Sequence, residues 1–273
     1  MLMMLMMLMM LKRQGMDSAA SEKSIIALDH WLQTPAGNYV RAWEQACLDR
    51  LTVDIFGYNA VQIGMPHIDG LAANRMPNKW LADTRLPSSC PSSPRTVLAL
   101  DFSELPFASQ SLDLVILPHV LEFAAEPHQV LREVERVLIP EGRLIICGFN
   151  PASLWGARQA AGRLTGSHFL PQAGELISMP RVKDWLKLLN MGVSHGYFGC
   201  YAPPCKTERW LQRYAFMDGA GARWWPYLGA AYIVQAIKRV KGMRLIGPAW
   251  TRQSAKAPVA VPATNKRREQ QDG

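Results

Sequence analysis

The stretch AVQIGMPHID, residues 60–69, runs from apolar residues into Gly64. A glycine at the end of an apolar run is the chemistry of a nucleotide-cofactor loop. Backbone without a Cβ lets a ligand approach closely, and free N–H groups can donate to it. Pro66 and Ile68 stand where further glycines would continue such a loop. Two carboxylates also end apolar runs: Asp83 in KWLADTR and Asp101 after TVLAL. In a doubly wound sheet a carboxylate so placed points into the crevice where ligands bind. Pro118 and His119 follow a further run, LDLVIL, and His119 is a candidate general base there. The five cysteines (Cys47, Cys90, Cys147, Cys200 and Cys205) form no CxxC pair and no zinc spacing, so no metal site is expected.

Elements must bring these residues to one place. Residues 60–64, 79–82, 96–100, 112–117 and 144–148 are short continuous apolar runs. Strands buried on both faces, as in a parallel sheet, need that composition. Between two of them a helix opens at Glu126-Pro127. Its apolar stripe is Val130, Leu131, Val134, Val137 and Leu138, and Pro140 and Gly142 end it. Strand, helix, strand in this order is a βαβ unit. The fold expected is α/β, a doubly wound and mostly parallel sheet. Residues 24–56 read as helices, carrying Ile25, Leu28, Trp31 and Leu32, then Val40, Trp43, Cys47, Leu48 and Leu51 at helical spacing. Arg181–Leu189 reads as a helix and Val193–Tyr201 as a strand. Ala231–Val240 suits either. Residues 84–95, with three prolines and four serines, read as a loop where a doubly wound fold would carry a helix.

The expected organisation is a Met/Leu-rich disordered extension at 1–15, helices at 16–56, the main domain at 57–252 and a disordered basic tail at 253–273. The N-terminal apolar run is too short to span a bilayer, its Lys12-Arg13 follows rather than precedes it, and Met16 is an alternative start. No integral membrane segment is expected, and cysteine usage fits a cytoplasmic protein. The net charge of +8 is uneven. Residues 1–198 carry 17 basic and 18 acidic side chains, whereas residues 199–252 carry 9 and 2. That region is a candidate surface for an anionic partner. Its aromatics Trp210, Tyr214, Trp224, Trp225 and Tyr227 interleave with Lys206, Arg209, Arg213 and Arg223.

The segment Asp101–Asn150 carries an acidic residue followed by LPF, then SLDLV, HVLE, and LREVERVLIPEGRL. In order and spacing it resembles the second half of class I S-adenosylmethionine-dependent methyltransferases, of the type 11, small-molecule group. The resemblance implies a Rossmann-like sheet with a C-terminal lid or extension, S-adenosylmethionine as cofactor, and a small-molecule methyl acceptor. It implies that Asp101 and Phe102 bound the adenine, that Asp83 receives the ribose hydroxyls, and that Pro118 and His119 border the cofactor or acceptor. Gln62 and Gly64 would hold the methionyl end. Here the chain departs from the family, which has an acidic residue at position 62 and three glycines in the loop. The degenerate turn leaves a second reading open, a methyltransferase fold kept as a binding or scaffold module. The basic aromatic region leaves a third, an RNA-directed methyltransferase. Asp113 is expected to act structurally at a strand's entry, and Asn150-Pro151 to form a turn into a helix.

Overall fold

A computed structural model describes residues 27–83, 96–99, 102, 104–166, 169–170 and 175–239. The expectations for the N-terminal run, the 84–95 loop, Asp101 and the C-terminal tail lie outside these residues.

Residues 27–32 (α1) and Pro35–Thr52 (α2) open the described chain. Thr34 caps α2, its hydroxyl accepting from the Gly37 N–H at 3.2 Å, and Pro35 takes the first helical position. Seven strands come next: Asn59–Ile63 (β1), Asn78–Asp83 (β2), Thr96–Ala99 (β3), Leu112–Pro118 (β4), Leu138–Phe149 (β5), Met191–Gly199 (β6) and Ala231–Lys238 (β7). They form one sheet in the order β3-β2-β1-β4-β5-β7-β6. The first five are parallel, and β7 runs antiparallel between β5 and β6. Of the run Ala231–Val240, which suited either strand or helix on sequence, Ala231–Lys238 is thus a strand. β1 and β4 are buried along nearly their whole length, as their continuous apolar composition requires, whereas edge strand β6 is exposed through its middle, residues 194–196.

The crossover between β4 and β5 holds the short α3 (Val120–Phe123) and α4 (Pro127–Val137). The apolar stripe of α4 is buried through Val130, Leu131, Val134 and Val137. Its polar face does more than meet solvent. Arg136 donates to the Leu105 and Phe107 carbonyls at 3.0 and 2.9 Å and pairs with Glu133 at 2.8 Å. Those bonds fix the loop after Phe102. After β5 come α5 (Leu154–Thr165) and α6 (Met179–Leu188). Helices α7 (Glu208–Arg213) and α8 (Phe216–Trp224) lie between β6 and β7. The Tyr39 hydroxyl of α2 donates to Asp218 of α8, which ties this insertion to the N-terminal helix.

Residues 27–52 are not a body apart. Leu28, Leu32, Val40, Cys47 and Leu48 share one core with the strands. The described residues, 27–239, fall within one compact unit. Asp113 sits at the entry of β4 and accepts from the Tyr58 and Asn59 N–H groups, both at 2.9 Å, which splices β1 to β4 at the end remote from the candidate site.

Candidate active site

The C-terminal ends of β1, β2 and β4 converge on Gly64. This residue has φ +75°, a left-handed conformation suited to glycine, and donates to the Ala82 carbonyl at 2.6 Å. A Cβ placed on Gly64 would stand 3.1 Å from Val120 Cγ2 and 3.8 Å from Phe102 Cζ. The bare backbone therefore meets the start of α3 on one side and the Phe102 ring on the other. Asp83 ends β2 one residue beyond Ala82, the residue paired with Ile63. So Gly64, Asp83 and Phe102 are gathered at one edge, with Pro118 buried at the end of β4.

Gly64 does not lead into a helix. Residues 64–77 pass from β1 to β2 through turns alone, with Ile68 bonded back to Met65 and Ala72 to Asp69, both at 3.1 Å. The turn is anchored inward, because Met65, Ile68 and Leu71 are all buried in the core. Ile68 therefore does not crowd a ligand, as its position in the motif suggests, but pins the loop from beneath. Pro66, between Met65 and His67, has no N–H to offer in this turn. The fully buried Gln62 accounts for the rest. Its Nε2 donates to the carbonyls of Gly64, Met65 and Ile68 at 3.2, 3.0 and 2.6 Å, and its Oε1 accepts from the Gly70 N–H at 2.9 Å. A carboxylate cannot make three of these four bonds, since it has no N–H. Glutamine at position 62 is what a helix-free turn requires. Its amide is fully used within the loop and has nothing left for a ligand.

His119 lies beside this turn at φ +56° and is completely buried. Its Nε2 is 2.8 Å from Glu44 Oε1 and its Nδ1 is 2.9 Å from Glu122 Oε2. The other oxygen of Glu122 accepts from the Phe149 N–H, and the Phe149 ring packs 4.3 Å from the imidazole. Burial alone would push the imidazole's pKa down. The charge on Glu44 and the hydrogen bonds from both carboxylates outweigh it and raise the value to about 10. Burial raises Glu122 in turn, opposed by His119 and the Phe149 N–H. The geometry does not fit the general-base role considered for His119. Both nitrogens are engaged, and at neutral pH the ring already carries its second proton.

Sequence reasoning missed Glu44 and the partnership of Glu122. Glu122 stood within HVLE. Glu44 lies four residues from both Val40 and Leu48, on the apolar stripe of α2. A carboxylate on an apolar stripe is the signal that was there to read. Beyond the cluster, Trp31, Phe149, Trp155 and Phe169 pack edge-to-face at 5.2–6.2 Å over the end of β5. Asn150 holds the turn there by donating to the Tyr227 and Gly229 carbonyls at 2.9 and 3.0 Å, and Ser153 caps α5.

The strand order and the residues gathered at its C-terminal edge are those of a class I, Rossmann-like methyltransferase fold. The comparisons with known proteins agree. Residues 81–146 match the model of the methyltransferase domain family. The chain is 32% identical over 180 residues to the uncharacterized protein YafS of Escherichia coli K12, covering 66% of this chain and 72% of that one. Among solved structures, it aligns with a chain of the Haloferax volcanii complex containing the Trm112 methyltransferase activator at a TM-score of 0.56, with 15% identity over 79% of this chain and 97% of that one. It aligns with the N-methyltransferase NodS of Bradyrhizobium japonicum, solved with S-adenosylhomocysteine, at 0.50 and 14% identity over 81% of this chain and 98% of that one. The chain belongs to the class I S-adenosylmethionine-dependent methyltransferase family. Among the described residues no helix is long and apolar enough to cross a membrane, and no group of His, Cys, Asp and Glu is arranged to hold a metal ion.

Proposed function

We propose that the protein binds S-adenosylmethionine and transfers its methyl group to a small-molecule acceptor. One observation carries this reading: Gly64, Asp83 and Phe102 meet at the C-terminal edge of the sheet, in the crevice beside β1 where this architecture takes ligands. These residues fit the adenosine end of the cofactor. Phe102 offers a ring face, Asp83 a carboxylate for ribose hydroxyls, and Gly64 a backbone without a Cβ. Asp101, next to Phe102, is assigned to the adenine amino group on the family resemblance. The bound cofactor supplies an electrophilic methyl on a sulfonium. The chain's own task is then to position donor and acceptor and exclude water, which asks little acid–base chemistry of it. The packed aromatic rings at Trp31, Phe149 and Trp155 are suited to excluding water.

Titration calorimetry with S-adenosylmethionine and S-adenosylhomocysteine tests the reading. Saturable binding, weakened at least tenfold by Asp83→Ala or Asp101→Ala, is expected. Absence of binding at millimolar ligand overturns it and favours the scaffold reading, which the helix-free turn after Gly64 supports. The basic surface of α7 and α8, with Arg209, Arg213 and Arg223, is proposed as the face for an anionic partner or acceptor.

A further inference from the structure

The buried cluster beside the Gly64 turn is not closed. Glu44 is completely buried, and while its Oε1 meets His119, its Oε2 has no hydrogen-bond partner among the described residues. Two hydrogen bonds join Glu44, His119 and Glu122, and each holds one proton. Two protons shared among two carboxylates and one imidazole leave a net charge of −1, whichever atoms carry them. A third proton would sit on Glu44 Oε2 itself, as an O–H with nothing to donate to. In either state the interior holds an unanswered polar atom, which is costly unless a partner arrives. Among the described residues no Lys or Arg pairs with Glu44; His119 is its ionic contact.

Position says what the partner is. Glu44 lies on α2, bonded to His119 just past the end of β4, and its helix neighbours reach the far end of the Gly64–Gly70 turn. One helical turn further on, Leu48 Cδ1 would lie 3.3 Å from a Cβ on Gly70, and the neighbouring Gln45 holds Asp69 through both backbone groups at 2.7 and 3.0 Å. The same turn lacks the carboxylate that the family carries at position 62, and Gln62 is spent on the loop. A negative charge is thus missing from the strand end and present on the helix packed against it.

The geometry points to Glu44 as the acceptor for a ligand ammonium group at the methionyl side of the site, taking over the charge that position 62 has lost. This rests on the donor-binding function proposed for the Gly64 edge. Such an ammonium has two sources, the α-ammonium of the cofactor's methionyl end or an amine-bearing acceptor. His119 and Glu122 are positioning residues in this arrangement: they hold Oε1 so that Oε2 faces the ligand.

The test compares S-adenosylhomocysteine with 5′-methylthioadenosine, which has the adenosine and thioether but no ammonium. Binding of both to the wild type and to Glu44→Gln is measured by calorimetry. If the cofactor is the source, E44Q weakens S-adenosylhomocysteine at least tenfold and changes methylthioadenosine less than twofold. If the acceptor is the source, both nucleosides bind E44Q as they bind the wild type. In that case 2-phenylethylamine binds the S-adenosylhomocysteine complex of the wild type and not that of E44Q. Equal behaviour of the two proteins toward all three probes overturns the proposal while leaving donor binding intact. Failure of both nucleosides to bind the wild type overturns the donor reading and this proposal with it. Glu44→Asp keeps the charge and serves should E44Q not fold. It retains a preference for S-adenosylhomocysteine over methylthioadenosine if the cofactor is the source, or 2-phenylethylamine binding if the acceptor is. Loss of both counts against the proposal.

Discussion

Gln62 and His119 stand near the C-terminal ends of the adjacent parallel strands β1 and β4, Gln62 within β1 opposite Ile116 and His119 just past Pro118, and both are completely buried. The solutions differ. Gln62 is neutral, and its amide closes on four backbone groups of one loop. His119 is charged, and its two carboxylate partners come from different elements, α2 and α3, leaving one oxygen over. A neutral amide saturated by backbone makes a turn that stands without a ligand. An odd count of charges makes a site that a ligand completes. The strand end that carries the family's charge elsewhere is here the structural one, and its neighbour has become the electrostatic one.

The sharpest way to break this comparison is to put the family's carboxylate back. Gln62→Glu sets a buried carboxylate against the carbonyls of Gly64, Met65 and Ile68, with no proton to give them. The expected loss is about 3 kcal/mol or more in urea unfolding, as for other unpaired buried charges, and no gain in S-adenosylhomocysteine affinity. A stable Q62E with tighter binding would mean the turn can reorganise into the family's form.

The second prediction concerns the charged strand end and pH. His119 has a folded pKa of about 10 against an ordinary 6.5. The folded state thus holds a proton that the unfolded state releases, and stability falls with rising pH between those values. The contribution is complete below pH 6.5 and is lost as pH rises through about 10. Glu122, raised by burial, acts in the same direction from the carboxylate range upward. Wild-type stability minus that of His119→Gln is expected to fall by a few kcal/mol, on the order of the shift, between pH 6 and 10. A flat difference would show that the imidazole is neutral. Gln62 itself carries no titrating group, so Gln62→Ala is expected to add no such slope.

How much of this could be read from the chain divides along the same line. β4, α4 and the core of β5 announced themselves, because a crossover with an amphipathic helix between two apolar runs is a repeating, local pattern. Asp113 was legible as structural because a carboxylate at a strand entry has few other uses. The turn after Gly64 was read from the family's glycines as an eroded site. Its actual logic, a side-chain amide bonding backbone two, three, six and eight residues on, has no period and leaves no mark on composition. Glu44 was visible only as an exception to the apolar stripe of α2, and its partner His119 is far along the chain. Pairings of that kind arise from the packing of α2 on the sheet, which the sequence of neither element specifies alone.

A smaller effect separates the two faces of α4. Arg136 binds the loop after Phe102 through two carbonyls and Glu133, and Phe107 of that loop packs 5.6 Å from Trp80. Arg136→Met keeps the stem's packing and removes the donors. Unfolding stability should drop by about 1–2 kcal/mol. S-adenosylhomocysteine and methylthioadenosine should weaken together, by roughly fivefold, because Phe102 serves the adenosine common to both. This is opposite to E44Q, which discriminates between them. Parallel loss marks the adenosine side of the site, and selective loss marks the methionyl side.

The least effect on ligand binding belongs to the far end of the same two strands. Asp113 Oδ2 accepts two backbone N–H groups where β1 and β4 begin, and a Cβ on Gly57 would strike it, so the carboxylate is held closely. Asp113→Asn replaces one acceptor oxygen with a donor group. If the amide turns its oxygen to the N–H pair, the charge assistance is lost and the bonds survive, at a cost of about 1 kcal/mol. Either way the change lies a full strand length from Gly64. Affinity for both nucleosides should then stay within twofold of wild type. A larger change in affinity than in stability would mean that the β1–β4 seam transmits strain from one end to the other. The separation drawn between Gln62 and His119 would then need to be replaced by a single mechanical unit.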